Sequence, residues 1–249
     1  MFQLFHEILY RPLFNALVFL YEYVTFEDLG VAIIVLTIAI RFLLYPLFYK
    51  SFKHQAVLQK IQPEMKKIQE RHRNDKGKQG EAMLALYREH KVNPFSGFFL
   101  ILIQLPILLA LYRVFLNGFS PEAFIDLYPA LNAPEHLENS LFGLIDLSKR
   151  SIVIVALAAG AQYIQARFSI AKRSGEKTEE SMQERIGRQM VFLMPILTVV
   201  FLVSLPSAIG LYWFTTSAFS ALQQWIIKRQ TAESDTPHGT ISKQSAGTH

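Results

Sequence analysis

Five apolar runs, each near the length needed to cross a bilayer, divide this chain of 249 residues. A hydrocarbon core of about 30 Å takes about 20 mostly apolar helical residues. The runs are 29–48, 97–116, 152–168, 190–205 and 207–227. The first carries one charge, Arg41, and the second carries Gln104, Pro106 and Arg113. Little more than Pro206 separates the last two, which predicts a tight helical hairpin, since proline ends one helix and can open the next. The expected fold class is therefore an all-α membrane protein with five transmembrane helices. Charge supply agrees: 18% of residues are charged and 51% hydrophobic, against about 25% charged in an average soluble domain. With 20 Phe and 10 Tyr, most of the chain is too apolar for disorder. It holds no Cys, which excludes a disulfide scaffold, a thiol nucleophile and a Cys-ligated metal.

Lys and Arg are distributed unevenly between the runs. Residues 50–96 hold eleven, residues 169–188 hold five, and the chain from Lys228 onward holds three. Residues 117–150 hold only Lys149 and Arg150 beside five acids, and residues 1–28 hold only Arg11. Basic segments alternate with poor ones, so the positive-inside rule places 50–96, 169–188 and the C-terminus in the cytoplasm and the N-terminus outside. The expected location is a membrane that borders the cytoplasm, crossed several times.

Residues 1–28 show no signal-peptide pattern, because Glu7 precedes Arg11 and no small-residue cleavage site follows. Phe5, Ile8, Leu9, Ala16, Leu17 and Leu20 recur at helical spacing. The expectation is an uncleaved extracytoplasmic amphipathic helix lying on the membrane surface. In 50–96, Val57, Leu58, Ile61, Met65 and Ile68 recur at three and four. Asn74, Asp75, Gly77 and Gly80 then make a turn, and Met83, Leu84 and Tyr87 resume the pattern. This predicts a cytoplasmic helical hairpin whose first helix, from Phe52 to Arg73, is kinked at Pro63. The five-span core is expected over 29–230, and residues 231–249 read as a polar, disordered cytoplasmic tail.

Arg41 lies about eight residues from Lys50, hence about 12 Å from the cytoplasmic end at 1.5 Å per residue. A charge at the centre of a span costs about 2.5–3.5 kcal/mol even on lenient scales. One account is an Arg that snorkels to the headgroups. The other is a water-filled cavity open to the cytoplasm. Thr37, Arg41 and Tyr45 are four apart and share one face of a continuous helix. Gln104, Gln162, Gln165 and the polar last run, with Tyr212, Thr215, Thr216, Ser217, Ser220, Gln223 and Gln224, could line the same cavity or simply bond between helices. Tyr212 and Trp213 could also be ordinary interface aromatics.

Familiar catalytic chemistry is absent from the sequence. There is no phosphate-binding G-x-x-x-x-G-K-[ST] run and no His spacing suited to zinc. No carboxylate falls inside a run, so a proton relay has no carrier there. No enzyme activity, cofactor or metal is expected. A small transporter or channel subunit stays open as an alternative, as does a structural subunit.

The runs GVAIIVLTIAIRFLLYPL (30–47), NPFSGFFLILIQLPILLALY (93–112), AQYIQARF (161–168) and LPSAIGLYWFTTSAFSALQQWIIKR (205–229) resemble the YidC-type membrane protein insertases, whose mitochondrial and chloroplast relatives share the core. The resemblance covers about 25–230. It implies insertion and chaperoning of nascent membrane proteins, alone or beside the Sec translocon, by one chain acting as a monomer in the lipid bilayer. It implies five helices around a hydrophilic groove open to the cytoplasm, with Arg41 as its charge. Thr37, Gln104, Gln165, Tyr212 and Trp213 match groove positions. No sequence-specific nucleic-acid contact is implied. Ribosome binding through the tail would be weak, with three basic residues there. Relative to the commoner forms, a core-only version is expected, without the added N-terminal span, the large periplasmic domain or the lipid-attachment Cys.

Overall fold

The computed structural model describes residues 2–117, 123–134, 138–170 and 182–233. These are mostly helical, as an all-α membrane protein requires. The helices are α1 (Phe2–Phe5), α2 (Arg11–Tyr23), α3 (Leu29–Leu43), α4 (Tyr45–Lys60), α5 (Gln62–Arg71), α6 (Lys76–Glu89), α7 (Ser96–Asn117), α8 (Ile152–Phe168), α9 (Met182–Leu202) and α10 (Ser207–Glu233). Among the described residues, α7 and α9 are long and apolar enough to cross a membrane by themselves, and the α3–α4 pair qualifies when taken together. α8 is apolar but has 17 residues. α10 is long, with 27 residues, yet its many hydroxyls and amides lower its hydropathy.

α10 is the axis of the molecule. It packs most extensively on α8, then on α3 and α4. Ala208, Ile209, Leu211, Tyr212, Ser217, Ser220, Gln223 and Ile227 are all buried along it. The α8–α10 contact is close because both helices offer small residues. A Cβ added at Gly210 would come within 2.7 Å of Ile154 Cγ2, and Ala158 opposite is fully buried. Small residues let helix backbones approach in membranes.

The run 29–48 is not one straight helix. α3 ends at Leu43, and α4 leaves it at 68°. Pro46 supplies the cause: it has no N–H to give the preceding turn, and its ring disfavours a helical residue before it. The same chemistry acts downstream. The expected kinked helix over 52–73 is instead two helices that break at Ile61, with Pro63 in the first turn of α5, where its missing N–H costs nothing. α6 starts at an Asp75 cap whose side chain accepts from Lys78 N at 3.0 Å. Glu64 of α5 faces His90, just after α6, at 3.6 Å. The fourth run also differs in its bounds: α9 starts earlier than 190 and stops at Leu202, leaving a turn before Pro206.

The N-terminal helix is amphipathic, with a buried stripe of Tyr10, Phe14, Leu17, Val18 and Tyr21; of the set read from spacing, Leu17 is buried and Phe5, Ala16 and Leu20 pack against the same core. Ile8 is 60% exposed. A π-helical turn at His6–Tyr10 joins α1 to α2 and inserts an extra residue, so α-helical phase does not carry across it. The buried stripe joins Ala32, Ile33 and Leu36 of α3 and Ile107, Leu111 and Val114 of α7 in the main core. Asn15 fixes this helix to the segment after α7. Its Nδ2 donates to Asp126 O at 2.9 Å and its Oδ1 accepts from Tyr128 N at 2.6 Å.

A two-residue β-hairpin, β1 (Ser140–Leu141) with β2 (Ile145–Asp146), was not legible in the sequence. It sits on the start of α3 so closely that a Cβ at Gly30 would meet Leu141 Cβ at 2.6 Å. The segment after it closes the start of α10. Ser207 N donates to Lys149 O at 2.8 Å and Ala208 N donates to Leu147 O at 3.1 Å. These carbonyls satisfy two of the helix's unpaired first-turn donors. Hydrogen bonds from Lys149 and Ser148 hold the Asp146 carboxyl down at about 2, well below its ordinary value.

Candidate functional site: a buried arginine between three helices

α3 begins at an Asp28 cap, whose side chain accepts from Val31 N at 2.8 Å. It then carries Thr37 and Arg41 inward, one turn apart. Both are buried, at 2% and 5% exposure. Thr37 spends its hydroxyl locally, donating to Ile33 O at 2.6 Å. It adds a small polar surface to the site and holds no partner helix.

Arg41 meets three elements. Its Nη2 donates to Gln104 Oε1 of α7 at 3.3 Å. Its guanidinium carbon lies 4.2 Å from the centroid of the Phe48 ring on α4. Gln104 in turn donates through Nε2 to the Tyr212 hydroxyl of α10. The Gln104 amide is thereby oriented, oxygen to the cation and nitrogen to the phenol. Arg41 Nη1 is buried with no hydrogen-bond partner. No carboxylate pairs with Arg41 among the described residues. A buried cation without a counter-ion is costly, and a polarised amide with an aromatic face offsets only part of that cost.

Protein encloses Arg41, which is 5% exposed. Tyr45 does not extend the Thr37–Arg41 face, because the helix ends between them, and its ring stacks on Tyr49. Phe48, from beyond the bend, covers the cation instead. Along an unbroken helix Arg41 and Phe48 would share a face but stand about 10 Å apart along the axis, so spacing alone does not bring them into contact.

Tyr212 and Trp213 point to different sides of α10. Tyr212 belongs to the Arg41 cluster. Trp213 packs against Val155, Ala158 and Leu202 on the α8–α9 side. Its indole Nε1 donates to Gln162 Oε1 at 3.2 Å, and that oxygen also accepts from Thr198 Oγ1 of α9. Adjacent residues on a helix face about 100° apart, so this separation is geometric. Gln165 is half-buried toward the far end of α8 and is not joined to Arg41 by any hydrogen bond among the described residues. The structure thus unites Arg41, Gln104 and Tyr212, places Thr37 beside them, and leaves Gln165 and Trp213 in other surroundings.

Further along α10, Gln224 Oε1 accepts from Ser169 Oγ at 3.0 Å. The neighbouring Gln223 is buried, and both its amide atoms lack partners. Phe48 and Phe52 of α4 pack with Ile227 of α10 in a small apolar cluster. No group of His, Cys, Asp or Glu suited to a metal occurs among the described residues.

Residues 19–234 match the family model described as 60Kd inner membrane protein. That match takes in most of the chain, and it decides the family. This chain belongs to the 60Kd inner membrane protein family. The curated relatives include the membrane protein insertase YidC of Campylobacter jejuni, 31% identical over 221 residues, or 88% of this chain and 37% of that protein. The YidC insertase of Nitratidesulfovibrio vulgaris strain Miyazaki F is 33% identical over 225 residues, 90% of this chain and 39% of that protein. That of Francisella philomiragia is 36% identical over 202 residues, 80% of this chain and 32% of that protein. The chain therefore spans under two-fifths of the length of these relatives.

Proposed function

We propose that this protein is a membrane protein insertase and chaperone. The observation that carries the reading is the match of nearly nine-tenths of the chain to proteins named membrane protein insertase YidC. The substrates are nascent membrane proteins, with the Sec translocon and the ribosome as further partners, and one chain is the working unit. Five spans cross the bilayer, with the N-terminus outside and the C-terminus cytoplasmic. The basic α5–α6 hairpin then stands in the cytoplasm, and the β-hairpin and α2 lie on the outer side.

Arg41 supplies the mechanism. Its cation has no carboxylate partner among the described residues, so an acidic residue in a substrate's short outer segment meets an unneutralised charge in a low-dielectric setting. Arg suits this position because it keeps its charge when desolvated. Thr37, Gln104 and Tyr212 give the entering polar segment hydrogen-bond partners. The enclosed conformation is the resting state. A groove open to the cytoplasm forms when α4 swings about the Leu44–Tyr45 bend and lifts Phe48 from Arg41. The apolar part of the substrate leaves sideways into lipid, driven by its burial at about 25 cal/mol per Å². Gln165 and Trp213 line the substrate's exit beside α8.

The test is insertion of a short single-span substrate with an acidic outer segment into liposomes holding only this protein, scored by protease protection. Wild type inserts it and Arg41→Ala does so poorly. Equal insertion by both removes Arg41 from the mechanism, and no insertion by folded wild type refutes the autonomous activity.

A further inference from the structure

Three large apolar side chains stand out from the two loops at the α10 start. Phe26 is 98% exposed, Leu144 86% and Phe142 68%. Phe26 ends the link between α2 and α3, and the other two form the tip of the β-hairpin. The loops are tied together, because Phe142 N donates to Asp28 Oδ2 at 2.6 Å. Phe26 and Phe142 hold φ of 53° and 52°, a left-handed conformation unfavourable for bulky residues. The backbone is held so that these rings point outward.

The backbone donors of both loops are largely satisfied from within. Val24 N and Thr25 N reach Leu20 O, Glu27 N reaches Tyr21 O, and Asp28 N reaches Thr25 O. In the hairpin, Leu144 N reaches Leu141 O and Leu147 N reaches Asn139 O.

The level of the loops follows from α10. At its other end, Arg229 lies over the Trp225 ring at 4.6 Å, and Lys228 donates to Ile170 O at 3.3 Å. Cations beside an exposed aromatic mark a membrane–water boundary. From Lys228 back to Ser207 the helix rises about 31 Å, close to the hydrocarbon thickness of about 30 Å. Ser207 is bonded directly to Lys149 O, so the hairpin lies at the opposite boundary. Ile152 and Val153, at the start of α8, are also exposed there and continue the apolar surface of the spans.

We propose that Phe26, Phe142 and Leu144 form a lipid anchor, inserted among the headgroups and first acyl carbons of the leaflet at the α10 start. Arg150, exposed at the hairpin's base, lies at the level of the lipid phosphates. The anchor holds the cap over α3 and α10 against the bilayer. The inference rests on the spanning arrangement proposed above.

The absence of native Cys makes the test direct. Single Phe26→Cys, Phe142→Cys and Leu144→Cys variants, each carrying an environment-sensitive fluorophore, are placed in phosphatidylethanolamine–phosphatidylglycerol vesicles. Nitroxide lipids labelled near the headgroup or deep in the chain serve as quenchers. Val200→Cys, on an exposed face of α9, and Lys78→Cys, in α6, are the membrane and water references. The expected result is blue-shifted emission at the three tips, quenched most by the shallow nitroxide, with Val200 quenched most by the deep one. Water-like emission at the tips with Val200 quenched overturns the anchor alone. Failure to quench Val200 as well overturns the spanning arrangement and the anchor with it. A blue shift without lipid quenching, growing with protein density, assigns the tips to a second copy and overturns the proposal.

Discussion

The Arg41 guanidinium lies over the Phe48 ring at 4.2 Å, across the 68° bend that separates their helices. The contact couples the buried charge to the position of α4. A desolvated cation–π pair contributes about 2 kcal/mol. Phe48→Leu should therefore destabilise the detergent-solubilised protein, and the loss should shrink by about that amount in an Arg41→Ala background. A double-mutant cycle by thermal unfolding reads the coupling. Additive losses would mean that Phe48 only fills space.

Gln104 is the neutral partner of a buried cation, and its chemistry sets what Arg41 can still bind. Gln104→Glu places a carboxylate where the amide oxygen accepts from Arg41. The prediction is higher thermal stability together with weaker insertion of acidic substrates, because the charge is already neutralised. Gln104→Leu instead takes from Arg41 its hydrogen-bond partner on α7, at a cost of about 1–3 kcal/mol. If Gln104→Glu inserts acidic substrates as well as wild type, the charge is not what the substrate meets.

Much of this architecture was readable because bilayer physics limits the alphabet. Runs of apolar residues had to become helices, and Arg41 and Gln104 stood out as polar exceptions within them. Prolines were an uneven guide: the chain breaks near Pro63 and Pro206 as read, but Pro106 and Pro195 lie inside α7 and α9, and the bend at Pro46 was not read at all, since it depends on what α4 packs against. That is why Phe48, not Tyr45, came to rest on Arg41. The separation of Tyr212 from Trp213 was legible in principle from helical angle, yet resemblance paired them. The π-helical turn at His6–Tyr10 shifted the N-terminal stripe without any compositional signal. The β-hairpin escaped because two-residue strands have no period to detect.

Asp146 organises the loop that closes the start of α10. Its carboxylate accepts from Ser148 N at 3.0 Å and faces Lys149 Nζ at 2.8 Å. Its folded value of about 2 lies below the ordinary 3.8, so the anion is favoured in the folded state. That contribution is complete above about pH 4 and is lost as pH falls through about 2. Amide exchange at 146–150 should accelerate as pH falls across that window, once corrected for intrinsic rates. Asp146→Asn should show the faster exchange already at pH 6, with no further acid step.

Gly210 and Ile154 set the distance between α8 and α10. A methyl at Gly210 would lie 2.7 Å from Ile154 Cγ2, closer than van der Waals contact allows. Gly210→Ala should cost about 1–3 kcal/mol through overpacking, although alanine favours the helix. Ile154→Ala removes the clashing group, so the double variant should recover part of the loss from Gly210→Ala. Thermal unfolding of the four proteins tests this, and a double variant no better than the sum of the singles would place the strain elsewhere.

Tyr212 and Trp213, adjacent in sequence, should respond differently to loss of their polar groups. Tyr212→Phe removes the acceptor of the Gln104 amide and leaves that N–H buried beside Arg41, so stability falls by about 1–3 kcal/mol. The orientation of Gln104 toward the cation is lost with it, and insertion of acidic substrates falls too. Trp213→Phe removes one donor to Gln162 Oε1, but Thr198 still donates to that oxygen. Its stability loss should be smaller, and dependence on substrate acidity should stay at the wild-type level. Parallel unfolding and insertion measurements with acidic and neutral substrates separate the two. Equal losses of acidic preference in both variants would show that the two rings serve one surface after all.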